Sequence, residues 1–184
     1  VMPKTAPLAK QQATSGYGSK VVIAGDTFDE CRAFMEQKAK EDGLTVVDPY
    51  NDPLVIAGQG SIGLEILDQL WDVDTVIVPV GGGGLITGIA TVLKHFNPYI
   101  HIVGVQSENV HGMTASLQAC KLTRQCTGPT LADGTAVAMP GDITFGLAEE
   151  LVDEMVLVSE EEIAEAMKDL LQRTKTVAEG VGAL

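Results

Sequence analysis

Aromatic side chains make up only 4% of this 184-residue chain, with a single Trp, so any core must be built from Val, Ile, Leu and Ala. The 45% hydrophobic fraction is enough for a core of ordinary domain size. Positive charge is scarce too. Twelve Lys and Arg stand against 25 Asp and Glu, a formal net charge of −13. That balance argues against nucleic acid and anionic membrane as partners, because both need a basic footprint. No apolar run approaches the roughly 18–20 residues of a membrane-spanning helix. The chain opens on VMPKTAPLAK, which does not read as a secretion signal. The cysteines, Cys31, Cys120 and Cys126, are odd in number and lack C-x-x-C spacing. Reduced thiols in a cytoplasmic protein are therefore expected, without a thiol metal site.

Apolar β-branched runs alternate with helical patterns along the chain. Strands are expected at Lys20–Gly25, Leu44–Asp48, Thr75–Val80, His101–Val105 and Glu154–Val158. Helices are expected at Phe28–Asp42 (opened by Asp26 or Thr27 and closed by Gly43), Val55–Leu70, Gly84–His95 and Asn109–Ala119. Ser159 begins S-E-E-E, a capping box that should open a last helix running to Thr174. The acids Glu161, Glu162, Glu165 and Asp169 of that helix read as a solvated face. Residues 120–147 carry the breakers TGPT, ADG and MPGD and read as loop with a short turn. Strand–helix alternation at this spacing predicts an α/β fold, a three-layer α/β/α open parallel sheet. Both ends read as cut segments, so an internal piece of a longer polypeptide is expected.

The stretch VIVPVGGGGLITGIA, residues 76–90, places four glycines between an apolar strand and a helix. One or two glycines would suffice for a tight turn. A dinucleotide fingerprint needs G-x-G-x-x-G and an acid about 20 residues on, at the end of the next strand. Gly81, Gly83 and Gly88 miss that spacing, and the next strand ends in Gln106. The loop also lacks the G-K-[ST] ending of a nucleoside triphosphate loop. Beside the plain tight turn, a third reading is a cup of main-chain amides at a helix start, suited to one phosphate of a small ligand. Pyridoxal 5′-phosphate meets that demand.

The strand followed by GGGGL resembles the phosphate cup of fold type II pyridoxal-phosphate enzymes related to the tryptophan synthase β chain. DPYNDPLVIAGQGSIGLEI (48–66), VGVQSENVHGM (103–113), TLADGTAV (130–137) and AEGVGAL (178–184) narrow the resemblance to the catabolic threonine dehydratases, or threonine ammonia-lyases. It covers essentially the whole chain. The resemblance implies two lobes with a cofactor cleft between them, incomplete at both ends. Residues 1–51 would end the small lobe, and 52–184 would form most of the large one. It also implies conversion of L-threonine to 2-oxobutanoate and ammonia, and of L-serine to pyruvate. Serine racemase or serine dehydratase activity is the alternative on the same scaffold, and a non-catalytic phosphate- or nucleotide-binding module is a further one. Homo-oligomerisation, and AMP as an activator at a subunit interface, are implied by likeness to the catabolic members.

By that resemblance Gly81, Gly82, Gly83, Gly84 and Leu85 bind the cofactor phosphate, Glu179 stands beside its ring, and Gly134 lies near its edge. Gln59 is close to the site with a structural role. The family's cofactor-carrying lysine lies in a Ser-Phe-Lys segment that none of the nine lysines here matches, and its substrate-carboxylate loop is not in this sequence. No catalytic residue is therefore assigned, and the chain by itself is expected to be inactive. His95 and His101 read as surface residues, and His111 as structural. Cation-binding relatives carry acids at the positions of Gln106 and Gly112, so no metal site is expected.

Overall fold

A computed structural model describes residues 1–4, 6–26, 28–126 and 128–184, and the side chains of all of these except 28 and 29. Its contacts divide the chain into two compact units, Val1–Val47 and Asp48–Leu184.

The first unit holds two helices, α1 (Leu8–Gly16) and α2 (Phe28–Asp42). Helix α2 has the expected bounds, and Gly43 follows it at φ +64°, the left-handed stop that suits glycine. The cap expected at Thr27 lies outside the described residues. Helix α1 was not expected. None of its residues is buried, so no apolar stripe announced it. The strand expected at Lys20–Gly25 shrinks to one parallel bridge between Met2 and Ile23, and that expected at Leu44–Asp48 does not form. Strand propensity was present at both places, but a strand persists only where a neighbour takes up its N–H and C=O groups.

The second unit is built on a parallel sheet, β1 (Thr75–Pro79), β2 (His101–Ser107) and β3 (Glu154–Val158), in that spatial order among the described residues. Thr75 pairs with His101 and Val103 with Glu154, and each register continues without a break. The six residues Ile102–Ser107 are all buried. Such an unbroken run is the mark of a strand covered on both faces. Helix α4 (Gly84–Phe96) crosses over from β1 to β2. Helices α5 (Gly112–Gln118) and α6 (Asp142–Leu151) lie between β2 and β3 in the chain. Ile86, Ile89, Ala90 and Leu93 of α4 pack with Val78, Val80, Ile102, Met113 and Ala148 as one aliphatic core.

Helix α3 (Pro53–Gln69) starts where the Asp52 carboxylate accepts the Leu54 and Val55 N–H groups, with Pro53 at its first position. It crosses α4 at very close range. A β-carbon on Gly60 would lie 3.0 Å from the Gly88 carbonyl, and one on Gly88 would lie 2.5 Å from that of Ile56. Gly60, Gly63 and Gly88 are thus what lets α3 and α4 approach so closely.

Helix α6 begins within the stretch expected to be loop, residues 120–147, and runs past its end, with Pro140 and Gly141 of MPGD standing just before it. The capping box at Ser159 forms as read. Ser159 Oγ accepts the Glu162 N–H, and the Glu162 carboxylate accepts the Ser159 N–H. Helix α7 covers Glu160–Asp169 and gives way to a π-helical turn, Leu170–Thr174. Among the described residues no helix is long and apolar enough to cross a membrane.

Candidate functional site

The glycine loop sits between the end of β1 and the start of α4. Val80, one residue past β1, still bonds to β2, its N–H donating to the Val105 carbonyl at 2.9 Å. The chain then turns through Gly83, whose φ of +98° and ψ of −5° lie in the left-handed region that other residues resist. Gly82, Gly83 and Gly84 are buried. The main-chain N–H groups of Gly81 through Leu85 have no hydrogen-bond acceptor among the described residues. Buried amides left unpaired are costly, about 1–3 kcal/mol each. A row of them at a helix start, where the dipole contributes roughly half a positive charge, is a cradle for an anion.

The loop is held rigid from outside. Thr144 Oγ1, on α6, donates to the Gly82 carbonyl at 2.6 Å, and Thr87 Oγ1 donates to that of Gly83 at 2.7 Å. Both hydroxyls are buried. The Tyr50 ring occupies the space where a side chain on Gly82 would go. A β-carbon on Gly83 would lie 2.5 Å from Met113 Cε and 2.8 Å from Thr144 Cβ. The carbonyls therefore face outward into hydroxyls while the amides stay free. A β-carbon on Gly84 would lie 2.8 Å from Gln59 Nε2 and one on Gly81 would lie 3.1 Å from the Thr135 Cα, so the loop is tightly packed at all four glycines. A phosphate fits this arrangement.

Asn51 ties the layer together. Its Nδ2 donates to Asp142 Oδ1 at 2.7 Å, and its Oδ1 accepts the Ile143 N–H at 3.1 Å, filling the orphaned first turn of α6. Asp48 in turn accepts the N–H groups of Tyr50 and Asn51. Tyr50, Asn51, Thr87 and Thr144 were not singled out from sequence. Tyr50 and Thr144 carry no local sign that they will meet a loop far along the chain.

The remaining expected residues fall around this loop in a chain of contacts. Gly134 lies in a short 3-10 turn, Asp133–Thr135, and the Thr135 Cα is 3.1 Å from where a Gly81 β-carbon would be. A β-carbon on Gly134 would lie 3.1 Å from Val181 Cγ2. Gly180 backs directly onto the Leu131 carbonyl. Glu179, just before it, is exposed. The glycine loop, the 133–135 turn and the segment 179–181 are thereby neighbours. Gln59 Nε2 donates to the Pro49 carbonyl at 3.4 Å.

Gln106 is fully buried, and its amide is spent inside the protein. Nε2 donates to the Val80 carbonyl at 3.1 Å, while Oε1 accepts the Thr114 N–H and hydroxyl at 2.9 and 2.8 Å. A side chain at Gly112 would strike the Ala138 carbonyl, 2.7 Å from the β-carbon position. His111 Nδ1 lies 2.7 Å from the Glu108 carbonyl, and His95 and His101 are exposed. Among the described residues no cluster of His, Cys, Asp or Glu is arranged to hold a metal ion.

Comparison with known proteins extends this geometry. The family model for pyridoxal-phosphate dependent enzymes matches residues 1–184. A catabolic L-threonine dehydratase of Staphylococcus aureus is 62% identical over all 184 residues, which make up 53% of that protein. The processed form of threonine deaminase isoform 2 from Solanum lycopersicum superposes with a TM-score of 0.92 at 42% identity, covering 99% of this chain and 53% of that one. Maize serine racemase gives a TM-score of 0.92 at 31% identity, covering 98% of this chain and 55% of that one. The chain thus spans about half the length of the curated relatives it matches.

Proposed function

We propose, on the premise that the chain belongs to the pyridoxal-phosphate dependent enzyme family, that it supplies the phosphate-gripping half of an L-threonine ammonia-lyase. The observation that carries this reading is the row of unpaired amides from Gly81 to Leu85. These five residues hold the ester phosphate of pyridoxal 5′-phosphate. The 133–135 turn with Gly134 lines its edge, and Glu179 stands beside the ring. Residues 52–184 then belong to the large lobe, and residues 1–51 to the small one. When bound, the cofactor supplies an electron sink for the charge left when an amino acid loses its α-proton. This chain's own part is to bind and aim. Amides fixed by Thr87 and Thr144 need no reorganisation when the charge arrives, which is the economy of a preorganised site.

Threonine as substrate, with 2-oxobutanoate and ammonia as products, is favoured by the 62% identity to a dehydratase of that specificity. Serine racemase or serine dehydratase chemistry is the second reading, favoured by the equally close superposition on maize serine racemase. An AMP activator, a homo-oligomer and a cytoplasmic location belong to the same proposal. The full-length protein loaded with cofactor decides between the readings. Release of 2-oxobutanoate from threonine well ahead of D-serine formation from L-serine is the expected result, and the reverse order replaces lyase by racemase.

A further inference from the structure

The carboxylate of Glu160 bridges three separate parts of the second unit. Its Oε1 accepts the Ser107 hydroxyl at 2.6 Å, at the carboxyl end of β2. Its Oε2 accepts the Leu131 N–H at 2.7 Å, and the Thr130 side chain bonds it as well. Glu160 itself is the first residue of α7. Burial pushes this carboxyl up, but the bonds from Ser107, Leu131 and Thr130 outweigh it and hold the group below the usual carboxylate range. A solvated helix acid has no such set of partners, as its neighbour Glu161 shows by lying exposed.

The segment that Glu160 grips leads straight to the glycine cup. Leu131 carries the carbonyl on which Gly180 rests. The Ala132 carbonyl accepts the Thr135 hydroxyl at 2.9 Å, and Thr135 in turn packs on Gly81. A second tether, from Asn109 Nδ2 to the Pro129 carbonyl at 2.7 Å, fixes the loop just before this point. Ser107 Oγ also accepts the Asn109 N–H at 3.0 Å, so both tethers start from the end of β2.

We propose that Glu160 is a positioning residue for the cofactor cleft, latching residues 130–135 to β2 so that Thr135 and Gly134 close one side of the phosphate cup. It touches neither cofactor nor substrate and acts through the loop. The inference rests on the cup reading of Gly81–Leu85. The test compares Glu160→Ala, Glu160→Gln and the exposed control Glu161→Ala in the full-length protein. It measures the dissociation constant for pyridoxal 5′-phosphate and the amide hydrogen exchange of residues 128–137 in the apoprotein. Losing charge-assisted bonds of this kind weakens such a site by roughly ten- to a hundredfold. Glu160→Ala should therefore lose cofactor affinity by about that factor with faster exchange in the loop. Glu160→Gln, which keeps one acceptor, should fall between it and wild type, and Glu161→Ala should match wild type. Should Glu160→Ala fail to fold, Glu160→Gln carries the decision on the same two readouts. Unchanged affinity, with or without faster exchange, overturns the latch, as does an equal loss in Glu161→Ala. The Gly83→Ala variant separates the two ideas. If it also keeps full affinity, the cup reading itself has failed; if it loses affinity while the Glu160 variants do not, only the latch has.

Discussion

At the scale of single residues the site depends on where side chains are forbidden. Gly83 combines a left-handed backbone with no space for a β-carbon between Met113 and Thr144. Gly83→Ala should therefore distort the cup and weaken phosphate binding at least about tenfold, given ~1–2 kcal/mol for the backbone alone. Isothermal titration with inorganic phosphate or the cofactor measures it. A second residue-scale expectation concerns acid. Burial raises the Asp153 carboxyl, but the Lys94 ammonium, the Ile102 N–H and the charge of His101 together hold it below its usual 3.8. A carboxyl depressed in the folded state contributes stability that is present above its unfolded value and lost as the pH falls through its folded one. The wild-type protein should thus lose stability as the pH drops below 3.8. Asp153→Asn should be less stable near neutrality and show a shallower acid limb, read from denaturant midpoints across pH.

At the scale of elements the decisive contact is the crossing of α3 and α4. A methyl group on Gly88 would meet the Ile56 carbonyl and the Gly60 amide, both backbone atoms that cannot swing aside. Gly88→Ala should cost about 1–3 kcal/mol in a urea melt despite its better helix propensity. A gain in stability would show that the helices part freely. Elements whose signals are local were legible in the sequence: α2 with its glycine stop, the apolar runs of β1 and β3, and the capping box of α7. Helix α6 was not, because its first turn is satisfied by Asn51, about 90 residues away, instead of by a cap of its own. The same distance hid Thr144 and Tyr50 from the reading of the site. The glycine loop was legible because four consecutive glycines are a statement about backbone space, and backbone space is a local matter. Glu160 was overlooked for a different reason. It stands next to Glu161 and Glu162 with no local sign to separate it from them, and only the bonds to Ser107 and Leu131 distinguish it.

At the scale of the whole molecule the sheet presents an edge. On β1, Val78 is 2% exposed while its neighbour Ile77 is 63% exposed, and β1 is an edge strand among the described residues. Trp71 and Leu70, just before this strand, are exposed as well. An apolar parallel edge of this kind invites pairing with another chain. The 184-residue chain made by itself should therefore self-associate, as seen by light scattering. A monodisperse monomer would contradict this expectation. The net charge of −13 opposes non-specific collapse but does not mask a hydrophobic strand.

The most direct measurement is a crystal structure of the full-length protein with pyridoxal 5′-phosphate. The ester phosphate oxygens are expected at about 2.7–3.2 Å from the main-chain nitrogens of Gly81–Leu85, with Thr144 still bonded to the Gly82 carbonyl. A phosphate bound elsewhere, with those five amides turned to water or to other protein atoms, would contradict it.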